Sequence, residues 1–197
     1  MINLLKKQLD NENIDGYIIP KNDEFFSEYS FPNRLQLISN FSGSAGLAII
    51  LKKENLLFVD SRYTLQANIE SGKSFKIFEI PKIMPFEVIK KLKKKITLGF
   101  DPKLFTENNL KIYFNNKCNL VPISNNIIDK IYNLKKNYKI KEFYSLNKNI
   151  TGANTIEKIN NLILILKTKK IDNIFISAPE NCAWLLNIRG FDNPNSP

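Results

Sequence analysis

The sequence predicts an α/β fold: a mixed β-sheet flanked by helices, followed by the incomplete start of a second, similar α/β unit. Three observations carry this. Helical and strand-like apolar patterns alternate along most of the chain. One pair of strand-like runs, "AGLAIILK" and "NLLFVD", is separated only by a polar connector, the pattern of a hairpin within a sheet. After Ile128 the alternation starts again. With 197 residues, 43% of them hydrophobic and 24% charged, the chain has the composition of one globular domain and part of another.

The elements follow in order. "NLLKKQLDNENI" places apolar residues at helical spacing, and Asp15-Gly16 breaks the pattern before "YIIP", a short buried strand stopped by Pro20. "DEFFSEY" reads as a short helix capped by Asp23, with Phe25, Phe26 and Tyr29 on one side. The hairpin comes next. Ser61 is then expected to cap a helix containing Tyr63, Leu65 and Ala67 that ends near Gly72. "FKIFEI" is a strand, 85–94 a helix with Pro85 in its first turn, and "ITLGFD" a strand ended by Asp101-Pro102. A helix over "ENNLKIYFNN" and a strand at "CNLVPI" close the first domain, assigned to 1–128.

The second, partial domain is assigned to 129–197. Its pattern reads as a polar helix ("IDKIYNLKKNYK"), a strand ("IKEFYSL"), a long amphipathic helix capped at Thr155 with Glu157 in its first turn, a buried strand ("IDNIFIS"), and the segment "ENCAWLLNIRG". Its sheet is incomplete, so the apolar face of the 156–166 helix and residues Ile174 to Ile176 are expected to have few partners.

The 29 basic and 19 acidic residues give a formal charge of +10, which raises the question of a polyanionic partner. The one dense run, "KKLKKK" at Lys90 to Lys95, follows Phe86, Val88 and Ile89 at helical spacing and reads as a solvated helix face. Lysine, asparagine and isoleucine are abundant everywhere, as in a biased coding composition. No basic-aromatic interleaving of an RNA-binding motif is visible, so nucleic acid is not expected as a partner. Cys118 and Cys182 have no metal-ligand spacing and read as reduced thiols. The longest aliphatic run, Leu162 to Leu166, is too short to span a bilayer, and the N-terminus lacks a cleavage-type signal. The expectation is a cytoplasmic protein with no membrane association.

Gly43-Ser44-Ala45-Gly46 is neither a nucleophile elbow, which needs G-x-S-x-G and a base, nor a phosphate loop, which needs a helix start after it. Close backbone packing at the hairpin entry is the expected role. Of the carboxylates Asp23, Glu28, Asp60 and Asp101, no pair shows ligand spacing, and capping or turn roles are expected. Arginine is scarce in this chain, so Arg34 and Arg62 are expected to hold structural ion pairs with Asp60 or Glu28, or to anchor an interface. Trp184 is expected to pack on the second domain's sheet or to line a path at a domain joint.

Three blocks carry a family resemblance. Arg34, Leu35, Ser39, Phe41, Gly43, Ser44, Ala45 and Gly46 lead to Asp60, Arg62, Tyr63, Gln66 and Ala67; "GFDPKLFT" runs from Gly99 to Thr106; and "AWLLNIRG" from Ala183 to Gly190 precedes Asp192 and Pro194. Together they resemble the creatinase/prolidase-type N-terminal region of Xaa-Pro aminopeptidases of the three-domain type. Asn40 and Ser61 stand where that family usually has glycine. The resemblance implies a non-catalytic portion that controls active-site access and subunit contacts. The catalytic pita-bread domain would act in cis or as a separate chain, with a homodimer and proline-containing peptides as further partners through it. It also implies two divalent metals of the Mn or Zn type in that domain, held by two aspartates, a histidine and two glutamates. This chain has no histidine, so catalytic and metal residues are expected to be none here, and the chain alone is expected to be inactive. Arg34, Asp60, Arg62, Tyr63, Trp184 and Arg189 remain as structural or interface candidates. The expected origin is a cut piece of a longer chain or a truncated or split gene product. The alternative is a stand-alone binding or scaffold protein with a basic surface.

Overall fold

The computed structural model describes residues 1–27, 32–92, 94–134 and 141–191. The chain divides into two compact units, Met1–Lys135 and Lys136–Pro197. Unit 1 contains α1 (Ile2–Asn11), β1 (Gly16–Pro20), α2 (Arg34–Ser39), β2 (Gly46–Leu51), β3 (Asn55–Asp60), α3 (Thr64–Ser71), β4 (Lys76–Ile80), α4 (Pro85–Ile89), β5 (Thr97–Phe100), α5 (Glu107–Phe114), β6 (Asn119–Pro122) and α6 (Ile127–Tyr132).

The strands form one six-stranded sheet in the order β4-β3-β2-β1-β5-β6. The hairpin strand β2 is antiparallel to both β1 and β3, whereas the pairs β1/β5, β3/β4 and β5/β6 are parallel. Strand alternation sends neighbouring side chains to opposite faces. Tyr17 and Ile19 pack with Leu5, Leu9, Leu35, Ala67 and Ile128, so α1, α2, α3 and α6 cover one face. Ile18 and Ile49 pack with Ile89, Leu104 and Phe114, so α4 and α5 cover the other. A sheet clad on both faces explains why its central strands are continuous apolar runs.

Several local expectations are corrected. Among the described residues Asp23 caps a turn, its Oδ1 accepting from the amides of Phe25 and Ser27 at 2.9 Å each, rather than starting a helix. Tyr29 lies outside the described residues, as does Glu28. Asp60, not Ser61, caps the turn after β3; Ser61 opens a 3-10 turn with no positive φ, and α3 begins at Thr64. Helix α4 stops at Ile89, so the described lysines of the 90–95 run lie beyond the helix rather than on its face, and they are exposed. Asn40 does take a left-handed φ of 65° as the α2 C-cap, which is why an asparagine serves there.

Unit 2 contains β7 (Phe143–Ser145), α7 (Lys148–Thr151), α8 (Thr155–Thr168), α9 (Pro179–Leu186) and β8 (Ile188–Gly190). Asn154 rather than Thr155 caps α8, in a reciprocal capping box with Glu157. β7 and β8 form a two-stranded antiparallel sheet. The predicted buried strand at 171–177 is neither a strand nor buried: it has no regular structure, and Phe175 is 90% exposed. A strand is stabilised by ladder partners and a covering layer, and this segment has neither among the described residues.

Candidate functional site

The parallel strands β1, β3 and β5 end at one edge of the unit 1 sheet, at Pro20, Asp60 and Phe100. Crevices outside the carboxyl ends of strands are where open α/β sheets bind ligands. A cleft of about 340 Å³ lies there, with Lys21, Asn22, Ser44, Arg62, Asn109 and Tyr113 as its polar lining and Phe26, Leu47 and Phe105 as its apolar wall. Asn22 is fixed by donating to the carbonyls of Asp23 and Leu104 at 2.9 and 3.0 Å. Lys21 is buried at 8% exposure, and burial raises the phenol of Tyr113 above its ordinary range.

The two halves of the first signature block, 34–46 and 60–67, meet at this cleft. Asp60 Oδ1 accepts from the Arg62 amide at 3.0 Å and from its Nε at 2.8 Å. The side-chain bond to Arg62, then its amide, holds the Asp60 carboxyl below the usual range. The guanidinium lies 5.6 Å from the Tyr63 ring centre, and the Tyr63 hydroxyl shares a 2.8 Å hydrogen bond with Ser44 Oγ. Ser42 donates its amide and hydroxyl to Glu70 at 2.8 Å each, and Gln66 bonds both. Burial pushes Glu70 up, but the Ser42 and Gln66 bonds outweigh it and leave the carboxyl below its ordinary range. Ser42 is therefore pinned to α3 and Ser44 to the 3-10 turn before it, and the segment is packed tightly. A methyl on Gly43 would stand 2.3 Å from the buried ring of Phe41.

Arg34 is not at the cleft. It is 4% exposed, and its Nε and Nη2 donate to Asp129 Oδ1 and Oδ2 at 2.6 and 2.9 Å, with Glu24 at 3.3 Å. The partner expected from the sequence, Asp60 or Glu28, is thus corrected to Asp129, which lies 95 residues away in α6. Burial disfavours the guanidinium's charge, but Asp129 and then Glu24 more than offset it, so its pKa rises. Asp101 is buried, accepting from Lys103 N at 3.0 Å and from Asn126 Nδ2 at 2.9 Å, which is a turn-and-cap role.

In unit 2 Trp184 is 59% exposed instead of packing on a sheet; the Lys158 ammonium sits 4.2 Å from its ring centre. Lys158 is itself buried and donates to the Trp184 carbonyl at 2.7 Å and to Asn187 Oδ1 at 2.6 Å. Arg189 donates to the carbonyls of Ala183 and Ile188 at 3.3 and 2.7 Å. Two cations therefore satisfy the carboxyl end of α9, where the helix dipole favours positive charge.

Sequence reasoning missed Lys21, Asn109, Tyr113, Asp129 and Lys158. Only Lys21 had a usable signal, since it directly follows the carboxyl end of a buried strand. Among the described residues no group of three His, Cys, Asp or Glu side chains could hold a metal ion, so the two-metal ligand set implied by the resemblance does not fit here. Ser44 is bonded to a phenol and not to a base. Among the described residues the cleft lining includes no nucleophile-base pair.

A family model for the creatinase/prolidase N-terminal domain matches residues 1–131, and a second of the same description matches residues 134–197. The chain belongs to the creatinase/prolidase N-terminal domain family. Among curated proteins this domain region is similar to Xaa-Pro aminopeptidase 2 of Rattus norvegicus, at 29% identity over 98% of this chain and 30% of the relative. It is also similar to a probable Xaa-Pro aminopeptidase P of Pyricularia oryzae, at 32% identity over 93% of this chain and 32% of the relative. Among solved structures, the X-prolyl aminopeptidase from Caenorhabditis elegans, a cytosolic enzyme with a di-nuclear active site, superposes with a TM-score of 0.79. The identity there is 28%, covering 98% of this chain and 35% of the other. The chain spans about a third of the length of these relatives. Among the described residues no helix is long and apolar enough to cross a membrane.

Proposed function

We propose that this chain is the non-catalytic N-terminal portion of an Xaa-Pro aminopeptidase-like metallopeptidase of the cytoplasm. It controls access to the active site, and makes subunit contacts, for a pita-bread catalytic domain that lies outside these residues and holds two divalent metals. The observation that carries this reading is the match to the di-nuclear C. elegans enzyme over nearly all of this chain but only 35% of that one, in a chain that has no histidine. Arg34, Asp60, Arg62 and Tyr63 act by holding unit 1 in shape, and Trp184 and Arg189 by shaping unit 2. Proline-containing peptides and a homodimer are partners through the catalytic domain.

Two measurements test this. The purified chain with Mn²⁺ and an Xaa-Pro-Xaa peptide is expected to release no amino acid above the blank; sustained turnover overturns the non-catalytic assignment. Added to the portion of the C. elegans enzyme that lies outside the match, the chain is expected to depress cleavage of long peptides relative to tripeptides. Unchanged length selectivity in a formed complex overturns the gating role.

A further inference from the structure

The unit 1 cleft carries hydrogen-bonding groups that the fold itself does not use. Among the described residues the Asn109 carboxamide, the Tyr113 hydroxyl and Asn22 Oδ1 make no hydrogen bond, although all three residues line the cleft. Asn22 is oriented, because its Nδ2 donates to the carbonyls of Asp23 and Leu104, and this leaves Oδ1 as a fixed acceptor. Burial raises the Tyr113 phenol above its ordinary range, so it is protonated at neutral pH and serves as a donor. Asn109 supplies a donor and an acceptor, since α5 uses only its main-chain amide. A few such groups beside an apolar wall are what orients a small molecule in a pocket, and the volume of about 340 Å³ is of the right size for one.

Two further features narrow the ligand. Phe26 lines the cleft at a left-handed φ of 59° and is 45% exposed. A bulky side chain is sterically costly there, and the turn capped by Asp23 holds it in place. With Phe105 and the Tyr113 ring it makes the lining aromatic, which suits a planar ring. The charges nearby offset one another: Lys21 and Arg62 are cationic, while Asp60 is bonded to Arg62 and Asp23 follows Lys21 by two residues. That balance favours a neutral ligand over an anion or a peptide terminus.

We propose that this cleft binds a free, neutral nucleoside whose aminopurine ring lies against Phe26 and Phe105 and whose edge is read by Asn22, Asn109 and Tyr113. The groups match in number. Asn22 Oδ1 and Asn109 Oδ1 are acceptors for the two hydrogens of the purine amino group, and Asn109 Nδ2 and the Tyr113 hydroxyl are donors for the ring nitrogens on either side of it. The site is a binding site without chemistry, and it stands independently of the function proposed above.

The test titrates adenosine into the 197-residue chain and follows the side-chain and main-chain amide resonances. The expected result is saturable binding with a dissociation constant of about 0.1–1 mM and the largest shifts at the Asn22 and Asn109 carboxamides. Tyr113→Phe, which deletes only the hydroxyl, is expected to weaken binding by about 5–10-fold. Inosine, which carries a carbonyl acceptor in place of the amino donors, is expected to bind about tenfold more weakly. Phe26→Gly removes the ring and also relieves the positive φ, so unit 1 should be no less stable by amide exchange while adenosine binds about tenfold more weakly. No saturable shift up to about 5 mM adenosine overturns the inference, as does equal binding of inosine or an unchanged affinity in either variant. Displacement of adenosine by inorganic phosphate also overturns it, because the cleft would then be an anion site.

Discussion

Asp129→Ala removes the carboxylate that holds Arg34, and the geometry sets the size of the effect. Arg34 is 4% exposed and Asp129 31% exposed, so the pair lies between a surface ion pair and a fully buried one. Surface pairs contribute about 0–1 kcal/mol, whereas removing one partner of a buried pair costs about 3–5 kcal/mol because the other charge is stranded. The guanidinium has little to fall back on. Among the described residues its Nη1 already lacks a partner, and the 3.3 Å contact to Glu24 is what remains. We expect a loss of about 2–4 kcal/mol, or roughly 6–16 °C in the melting temperature of unit 1. Native-state hydrogen exchange at the β1 and β2 amides reads unit 1 alone; the single tryptophan, Trp184, reports only on unit 2. In a double-mutant cycle with Arg34→Met, which keeps apolar bulk and removes the charge, the coupling is expected to exceed about 1.5 kcal/mol. A loss below about 0.5 kcal/mol, or strict additivity, would refute the view that this pair ties α2 to α6.

Three further outcomes are expected. Asn40→Val, at a left-handed φ of 65°, should cost about 1–2 kcal/mol, whereas Asn40→Gly should be neutral or stabilising in the same exchange assay. The amide of Thr97, then Lys94, holds the Asp15 carboxyl below its ordinary value. Its stabilisation is therefore complete above the unfolded pKa of about 3.9 and lost as the pH falls through the lower folded value; Asp15→Asn should flatten that acid limb in urea melts from pH 2 to 6. Burial pushes the Cys118 thiol up to about 11, so mass spectrometry after iodoacetamide at pH 8 should find Cys118 unmodified in the native chain and modified in denaturant.

The order of elements in unit 1 was legible because its signals are local. Apolar period distinguishes α1 from β1, the polar connector between β2 and β3 marks a hairpin, and Pro85 and the Asp101-Pro102 pair punctuate their neighbours. The cap of α8 was read one residue off, at Thr155 for Asn154, and Ser61 was read as a helix cap where Asp60 caps a 3-10 turn that precedes α3, since neighbouring polar side chains compete for the same amides and the backbone path decides between them. The short helix predicted at Asp23 failed because its cap bonds, to Phe25 and Ser27, also close a turn that need not continue.

The sequence by itself determined the alternation of helices and strands, the family signature, and the absence of histidine. All three are written in residue types and their near neighbours. Tertiary structure alone decided that Arg34 meets Asp129, that Lys21, Ser44 and Arg62 share one cleft, and that 171–177 joins no ladder among the described residues. Each of these depends on which distant segments the folded backbone brings within hydrogen-bonding and van der Waals reach. A strand-like pattern states what a segment can bury; only a neighbouring strand and a covering layer let it do so.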